Sequence, residues 1–164
     1  MEGLSEVLDH SLGGRRAETI TARIQEQVEQ WGLALPDVPP LILDFGLGKF
    51  DEIGETEYWI ANEVDGGYCG KFMFMFKGQT CPNHYHEEKL ETFFIVKGKV
   101  RMEYDGKDTI LNPGDALLIH LDKYHRFHAV ETSLILEISK PCIGGDNFFE
   151  NTAIPFGGNY RPPA

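Results

Sequence analysis

Positive charge is scarce in this sequence: 15 Lys and Arg stand against 26 Asp and Glu, a formal net charge of −11. No basic stripe is available to neutralise phosphates, which argues against nucleic acid as a partner and disfavours an anionic membrane surface. Long apolar runs are also missing, and none approaches the length needed to span a bilayer. Met1 to His10 contain acids and no cationic start to an apolar stretch, so no secretory signal is expected and the expected compartment is the cytoplasm. Cysteine is sparse as well. Cys69, Cys81 and Cys142 form an odd set without framework spacing, read as free thiols in a reducing compartment. There is no internal repeat and no low-complexity tract. What is present is ordinary for a soluble globular domain: at 164 residues and 41% apolar, the chain suffices for one well-buried core and is short for two.

Helical patterning is confined to Arg16–Gly32. Ile20, Ile24, Val28 and Trp31 recur there at helical spacing, with Gly32 as the stop. Pro36, Pro39 and Pro40 follow as a stiff connector. Residues 1–40 are therefore expected to be an N-terminal helical segment packed on a domain of residues 41–164. From Leu41 onward the pattern is β. Candidate strands are Tyr58–Val64, Lys71–Lys77, Glu91–Val96, Lys99–Tyr104, Asp108–Leu111, Ala116–His120, His125–Val130 and Ser133–Ser139. Short strands broken by Gly- and Asp-containing turns predict an all-β sandwich or small barrel. Asp105-Gly106 predicts a two-residue hairpin. Phe72-Met73-Phe74-Met75-Phe76 is apolar on both faces and reads as a central strand. The stretch from Cys142 to Ala164 reads as an irregular tail.

The chemistry concentrates in the run from Gly78 to Glu91. On a strand, side chains at i and i+2 share a face, so His84 and His86 can reach one ion together while Glu91 enters from the next strand. A second cluster, His120, His125 and His128, offers a fourth ligand; His128 has odd parity to His125. Cys81 lies nearby with odd parity to both His84 and His86. Imidazoles with one carboxylate suit Mn, Fe, Co, Ni or Zn.

With these residues laid out, the chain resembles the cupin superfamily of jelly-roll β-barrels. Gly78, His84, His86, Glu91 and Gly98 match the first cupin motif at every position. Gly114 and His125 match the second, in which His120 replaces a Pro, Asp122 a Gly and Ala129 an Asn. The resemblance implies a single cupin barrel with an N-terminal helical segment, and His84, His86, Glu91 and His125 as metal ligands. Asp44–Lys49, Gly78–His84, Lys89–Phe93, and Glu137 followed by Asp146–Phe149 look like the D-lyxose isomerase group of cupins. Those enzymes interconvert D-lyxose and D-xylulose with a divalent metal, typically manganese. Relatives in that group carry a longer insertion between the paired histidines and the glutamate.

By this resemblance Lys89 and Glu137 are the catalytic pair. Read from the residues alone, Lys89 either shares the inward face of Glu91 or is a solvated loop lysine, and a nearby dication would lower its pKa. Glu137 is the only charge in Leu134–Ile138. A carboxylate there is costly unless paired, ligating or catalytic, and parity leaves open whether it points into the barrel or outward. Gln79, Tyr85 and Asp146 are candidates for hydrogen bonds to sugar hydroxyls, although each also suits a turn. The expected function is metal-dependent aldose–ketose isomerisation of a free sugar, of D-lyxose/D-xylulose or D-mannose/D-fructose type, by enediol proton transfer. Manganese is the expected ion. The alternatives are an Fe(II) cupin dioxygenase and a non-catalytic cupin that binds a small ligand. A homodimer is expected on family grounds, with the Phe/Met strand or the amino-terminal segment as its contact.

Overall fold

Two antiparallel sheets face each other, and the chain crosses between them repeatedly. The computed structural model describes residues 5–162. A short helix α1 (Ser5–Leu8) precedes α2 (Gly14–Gln30), and the strands follow as β1 (Leu41–Leu43), β2 (Glu55–Glu63), β3 (Tyr68–Met75), β4 (His84–Tyr85), β5 (Glu91–Lys97), β6 (Val100–Tyr104), β7 (Lys107–Leu111), β8 (Ala116–Ile119), β9 (His125–Ala129), β10 (Ser133–Ser139) and β11 (Phe148–Phe149). One sheet has six strands in the order β1-β2-β3-β10-β5-β8; the other has five, ordered β11-β4-β9-β6-β7. This is the all-β, two-sheet arrangement that the short strands and turns predicted, in the jelly-roll form that the cupin resemblance implied.

The two periods of the sequence sort the core into two layers. Between the sheets lie Met73, Met75, Phe93, Ile95, Met102 and Phe127 with their neighbours. On the outer face of the six-stranded sheet, Ile20, Ile24 and Val28 of α2 pack against Tyr58, Phe74 and Leu134. The Phe72–Met75 part of β3 is thus covered on both sides as expected, with Met73 and Met75 inward and Phe74 under the helix. That leaves no free face for the Phe/Met strand to serve as a dimer contact. No helix among the described residues is long and apolar enough to cross a membrane.

Turn chemistry follows the sequence closely. Tyr104 pairs with Lys107 across Asp105-Gly106, and both turn residues have positive φ (48° and 75°), as a tight hairpin requires. Asp122, which stands where the second cupin motif has Gly, adopts φ 58°. Aspartate tolerates that left-handed conformation better than most residues, so the replacement preserves the turn. Differences from the expected strands fall mostly at their ends. β2 begins at Glu55 rather than Tyr58, because its first inward positions are carboxylates that read as loop. β4 and β11, two residues each, are too short to carry a periodic signal.

Gly98 explains one motif position physically. Its φ is 82°, and an added Cβ would come within 2.3 Å of the Thr132 carbonyl oxygen and 2.7 Å of Ser133 Cα. Gly78, with φ 95°, has nothing within 4 Å of the same position. Gly98→Ala is expected to destabilise the protein by more than about 2 kcal/mol and Gly78→Ala by about 1 kcal/mol, as measured by urea denaturation.

Candidate metal centre and the charged cavity beside it

The centre is assembled from three strands and the loop between two of them. His84 on β4 pairs directly with His125 on β9, His86 lies just past the end of β4, and Glu91 opens β5. Ligand-type atoms of His84, His86, Glu91 and His125 all lie within 4.8 Å of one another, and all four residues are buried. Each imidazole is fixed through Nδ1 to a backbone carbonyl: His84 to Pro82 at 2.8 Å, His86 to Asp146 at 2.8 Å and His125 to Lys123 at 3.0 Å. A ring that donates from Nδ1 presents a bare Nε2 lone pair, the arrangement that orients metal-binding histidines.

The donor set fits a cation. Nε2 of His125 lies 2.8 Å and Nε2 of His86 3.4 Å from Glu91 Oε1, yet none of these three buried atoms has a hydrogen-bond partner. Acceptors crowded together without a hydrogen repel unless a positive charge sits among them. Burial, followed by the charges of His125 and His86, holds His84 well below the usual imidazole range, so it is neutral and able to ligate. A divalent ion suited to nitrogen and oxygen ligands matches these donors.

Beside the centre the barrel interior carries a chain of opposite charges. Lys89 Nζ lies 2.7 Å from Glu91 Oε2 and 2.8 Å from Glu137 Oε1. Lys71 Nζ lies 3.4 Å from Glu137 Oε2 and 2.5 Å from Glu57 Oε1. Sheet register sets this order, since Lys71 stands between Trp59 on β2 and Glu137 on β10. Glu137 therefore faces inward. The apolar Leu134 on the opposite face belongs to the layer beneath α2, while Ile138 beyond it is 58% exposed.

These pairings decide the ionisation of the interior. Burial alone would raise the Glu137 carboxyl, but Lys71 and Lys89 outweigh it and hold it below the usual carboxylate range. Burial works against the charge of Lys89, but Cys142, Glu137 and Glu91 hold its pKa well above the ordinary lysine value. This is opposite to the lowering expected from the sequence, because the flanking carboxylates lie in direct contact. Lys89 is a charged donor. A cavity of about 50 Å³ runs along this chain, lined by His84, Glu91, Lys89, Glu137, Lys71 and Glu57 among others. That is room for a few waters or a small polar ligand.

The structure places the three expected sugar contacts elsewhere. Both ends of the Gln79 amide are committed to backbone, accepting from Phe76 N–H at 2.8 Å and donating to the Phe50 carbonyl at 2.6 Å. Tyr85 points away from His84 and stacks on Phe148, with ring centroids 4.9 Å apart. Asp146 accepts N–H bonds from Glu87, Glu88 and Lys89, and its carbonyl holds His86. It organises the loop between His86 and Glu91. His128 bonds Thr80 Oγ1 at 2.8 Å, and His120 is exposed; neither joins the cluster. Cys81 lines the cavity but stays outside the cluster.

Glu55, Glu57 and Lys71 are interior charges that the sequence reading missed. The signal is the alternation Glu55-x-Glu57-x-Trp59, which a strand expected to begin only at Tyr58 cuts in two. Burial, then the neighbouring charge of Glu57, pushes the Glu55 carboxyl up to about 8 from the ordinary 4.5. Unfolding lets this group ionise above pH 4.5 while the folded state holds its proton until about pH 8, so it costs stability progressively across that window. Glu55→Gln removes the cost. The variant is expected to match wild type near pH 4.5 and to exceed it by on the order of a few kcal/mol at pH 8, measured by denaturant unfolding at both pH values.

Comparison with known proteins agrees with this geometry. The cupin domain family matches residues 71–138, from Lys71 to just past Glu137. The D-lyxose/D-mannose isomerase of Thermosediminibacter oceani is 30% identical over 122 residues, covering 58% of this chain and 66% of that protein. The quercetin 2,3-dioxygenase of Bacillus subtilis is 39% identical over 97 residues, covering 57% of this chain and 29% of that enzyme. The chain thus spans just under two thirds of the first of these relatives and under a third of the second. Among solved structures, the L-ribose isomerase of Acinetobacter sp. DL28 in complex with L-ribose superposes with a TM-score of 0.72 at 16% identity, covering 88% of this chain and 95% of that one. Jelly-roll topology, ligand spacing and the matched segment converge: residues 71–138 match the cupin domain family, and sugar isomerases are among the proteins this chain is similar to.

Proposed function

We propose that the protein is a metal-dependent aldose–ketose isomerase acting on a free sugar of D-lyxose/D-xylulose or D-mannose/D-fructose type. The observation that carries this reading is the Lys89–Glu137 pair, 2.8 Å apart and sharing one cavity with the His84–His86–Glu91–His125 cluster. Isomerisation must move a proton between two adjacent carbons and hold charge on their oxygens. A divalent ion on the cluster, manganese in this reading, supplies Lewis acidity that makes the hydrogen next to a sugar carbonyl acidic. Glu137 is the carboxylate that carries the proton from one carbon to the other. Held below the usual carboxylate range, it is a weak base, so it works only on a carbon acid activated in this way. Lys89 donates to a sugar oxygen while keeping Glu137 oriented. Ser139 Oγ donates to the same oxygen, Glu137 Oε1, at 3.0 Å and helps to fix it.

The dioxygenase alternative fits the cavity less well. A flavonol is a large flat aromatic, whereas the space beside the cluster is bordered by the charged side chains of Glu57, Lys71, Lys89, Glu91 and Glu137. A homodimer belongs to the same reading, closed over the uncovered part of the six-stranded sheet, where Ile60, Tyr68 and Ile138 are exposed.

Calorimetric titration with manganese is expected to give one site per chain, weakened more than about 100-fold in His125→Ala. Glu137→Gln is expected to bind the ion normally yet lose about 100-fold or more in kcat when D-lyxose and D-mannose are followed to their ketoses. A near-normal rate in Glu137→Gln with the ion retained would remove Glu137 from the reaction. Oxygen uptake with no sugar interconversion would replace the isomerase by the dioxygenase.

A further inference from the structure

The cavity has a second end that the cluster and the Lys89–Glu137 pair leave unused. There β2 presents Glu55, Glu57 and Trp59 on one face, and β3 adds Lys71. Three of these four satisfy one another. Lys71 pairs with Glu57 and lies 4.8 Å from the centroid of the Trp59 ring, while Trp59 Nε1 donates to Glu57 Oε2 at 3.0 Å. Glu55 is different. It is 4% exposed and lines the cavity; its carboxyl interacts with Glu57 and Cys81, but Oε2 has no hydrogen-bond partner among the described residues. A buried polar atom left unpaired is costly, and folded proteins keep one only for a reason.

We propose, on the isomerase reading above, that this end of the cavity is the subsite for the terminal carbon of the sugar, and that Glu55 reads the terminal hydroxyl through its unpartnered oxygen. Burial and the charge of Glu57 keep the Glu55 carboxyl protonated at neutral pH, so it can both donate to and accept from a hydroxyl. Trp59 offers apolar ring surface to the adjacent C–H groups. The charge of the lining sets the substrate class. Glu57, Glu91 and Glu137 face the space as carboxylates with Lys71 and Lys89, and each lysine is already paired with two of them. No lining cation is free to meet a terminal phosphate, so the subsite takes an unphosphorylated polyol. Specificity then arises because a ligand lacking the terminal hydroxyl leaves Glu55 unpaired.

The test measures binding, without turnover. D-arabinitol, a non-isomerisable reduced pentose, and its terminal-deoxy analogue are titrated calorimetrically into manganese-loaded wild type, Glu55→Gln and Glu55→Leu, with the thermal transition of each variant recorded. Wild type is expected to prefer arabinitol over the deoxy compound by about tenfold or more. Glu55→Gln, which keeps both donor and acceptor, is expected to retain that preference. Glu55→Leu is expected to lose it through weaker arabinitol binding, with the deoxy compound unchanged. Unaltered arabinitol binding in Glu55→Leu would mean that Glu55 holds only a resident water, and equal loss for both ligands would mean that it merely shapes the cavity. Either result overturns this inference and leaves the isomerase reading standing. Failure of manganese-loaded wild type to bind arabinitol at all would overturn both. If Glu55→Leu lacks a thermal transition, wild type decides alone: a preference below about threefold for arabinitol sinks the assignment.

Discussion

A carboxylate inside a β-barrel must be paired, and that requirement organises this interior. Removing an ion from water costs several kcal/mol, recovered only through close opposite charges and hydrogen bonds. Here the sign alternates along Glu57, Lys71, Glu137, Lys89 and Glu91, each in contact with the next. The chain ends on Glu91 Oε1, which faces two imidazole nitrogens and no hydrogen. The last position of the ladder is one that a cation held by these ligands would fill. The candidate metal ligands and the Lys89–Glu137 pair share one electrostatic network.

The backbone serves that network from unexpected places. The stretch after Cys142 reads as an irregular tail, yet β11 pairs with β4 beside His84, and the Phe149 ring lies 5.6 Å from the His84 ring. Asp146, in the turn just before β11, ties down three successive N–H groups of the loop that carries Lys89 and also anchors His86. A side chain expected to touch substrate instead sets the loop that carries Lys89. The N-terminal helix contributes from the opposite side. By covering Phe74 and Leu134, α2 lets the outer faces of β3 and β10 be apolar while their inner faces carry Lys71 and Glu137.

Consistency between levels breaks where function is expected to lie. Strand propensity, turn chemistry and core packing agree throughout the barrel. Among the described residues, the buried side-chain atoms without a hydrogen-bond partner are Nε2 of His86 and His125, both Glu91 oxygens, Glu55 Oε2 and Thr56 Oγ1; all but Thr56 border the ligand cluster or the cavity beside it. Loss of stability at these atoms is the counterpart of binding something there.

Local rules fixed what could be read directly from the chain. The spacing of His84, His86 and Glu91, the parity that sets His128 apart from His125, the Asp105-Gly106 hairpin and the two-sided apolarity of β3 depend on strand period and turn geometry. Those operate within a few residues. What lay beyond the sequence depended on partners brought together across strands. Parity could not say which face of β10 was interior until α2 was seen to cover the other. The pKa of Lys89 depended on Glu91 and Glu137 meeting it from two strands, and Gln79 and Asp146 proved to be held by distant backbone. Glu55 became visible only when β2 was found to begin early enough to carry it inside. Ligand identity is a property of local spacing; ionisation, facing and the second end of the cavity are properties of which strands lie side by side.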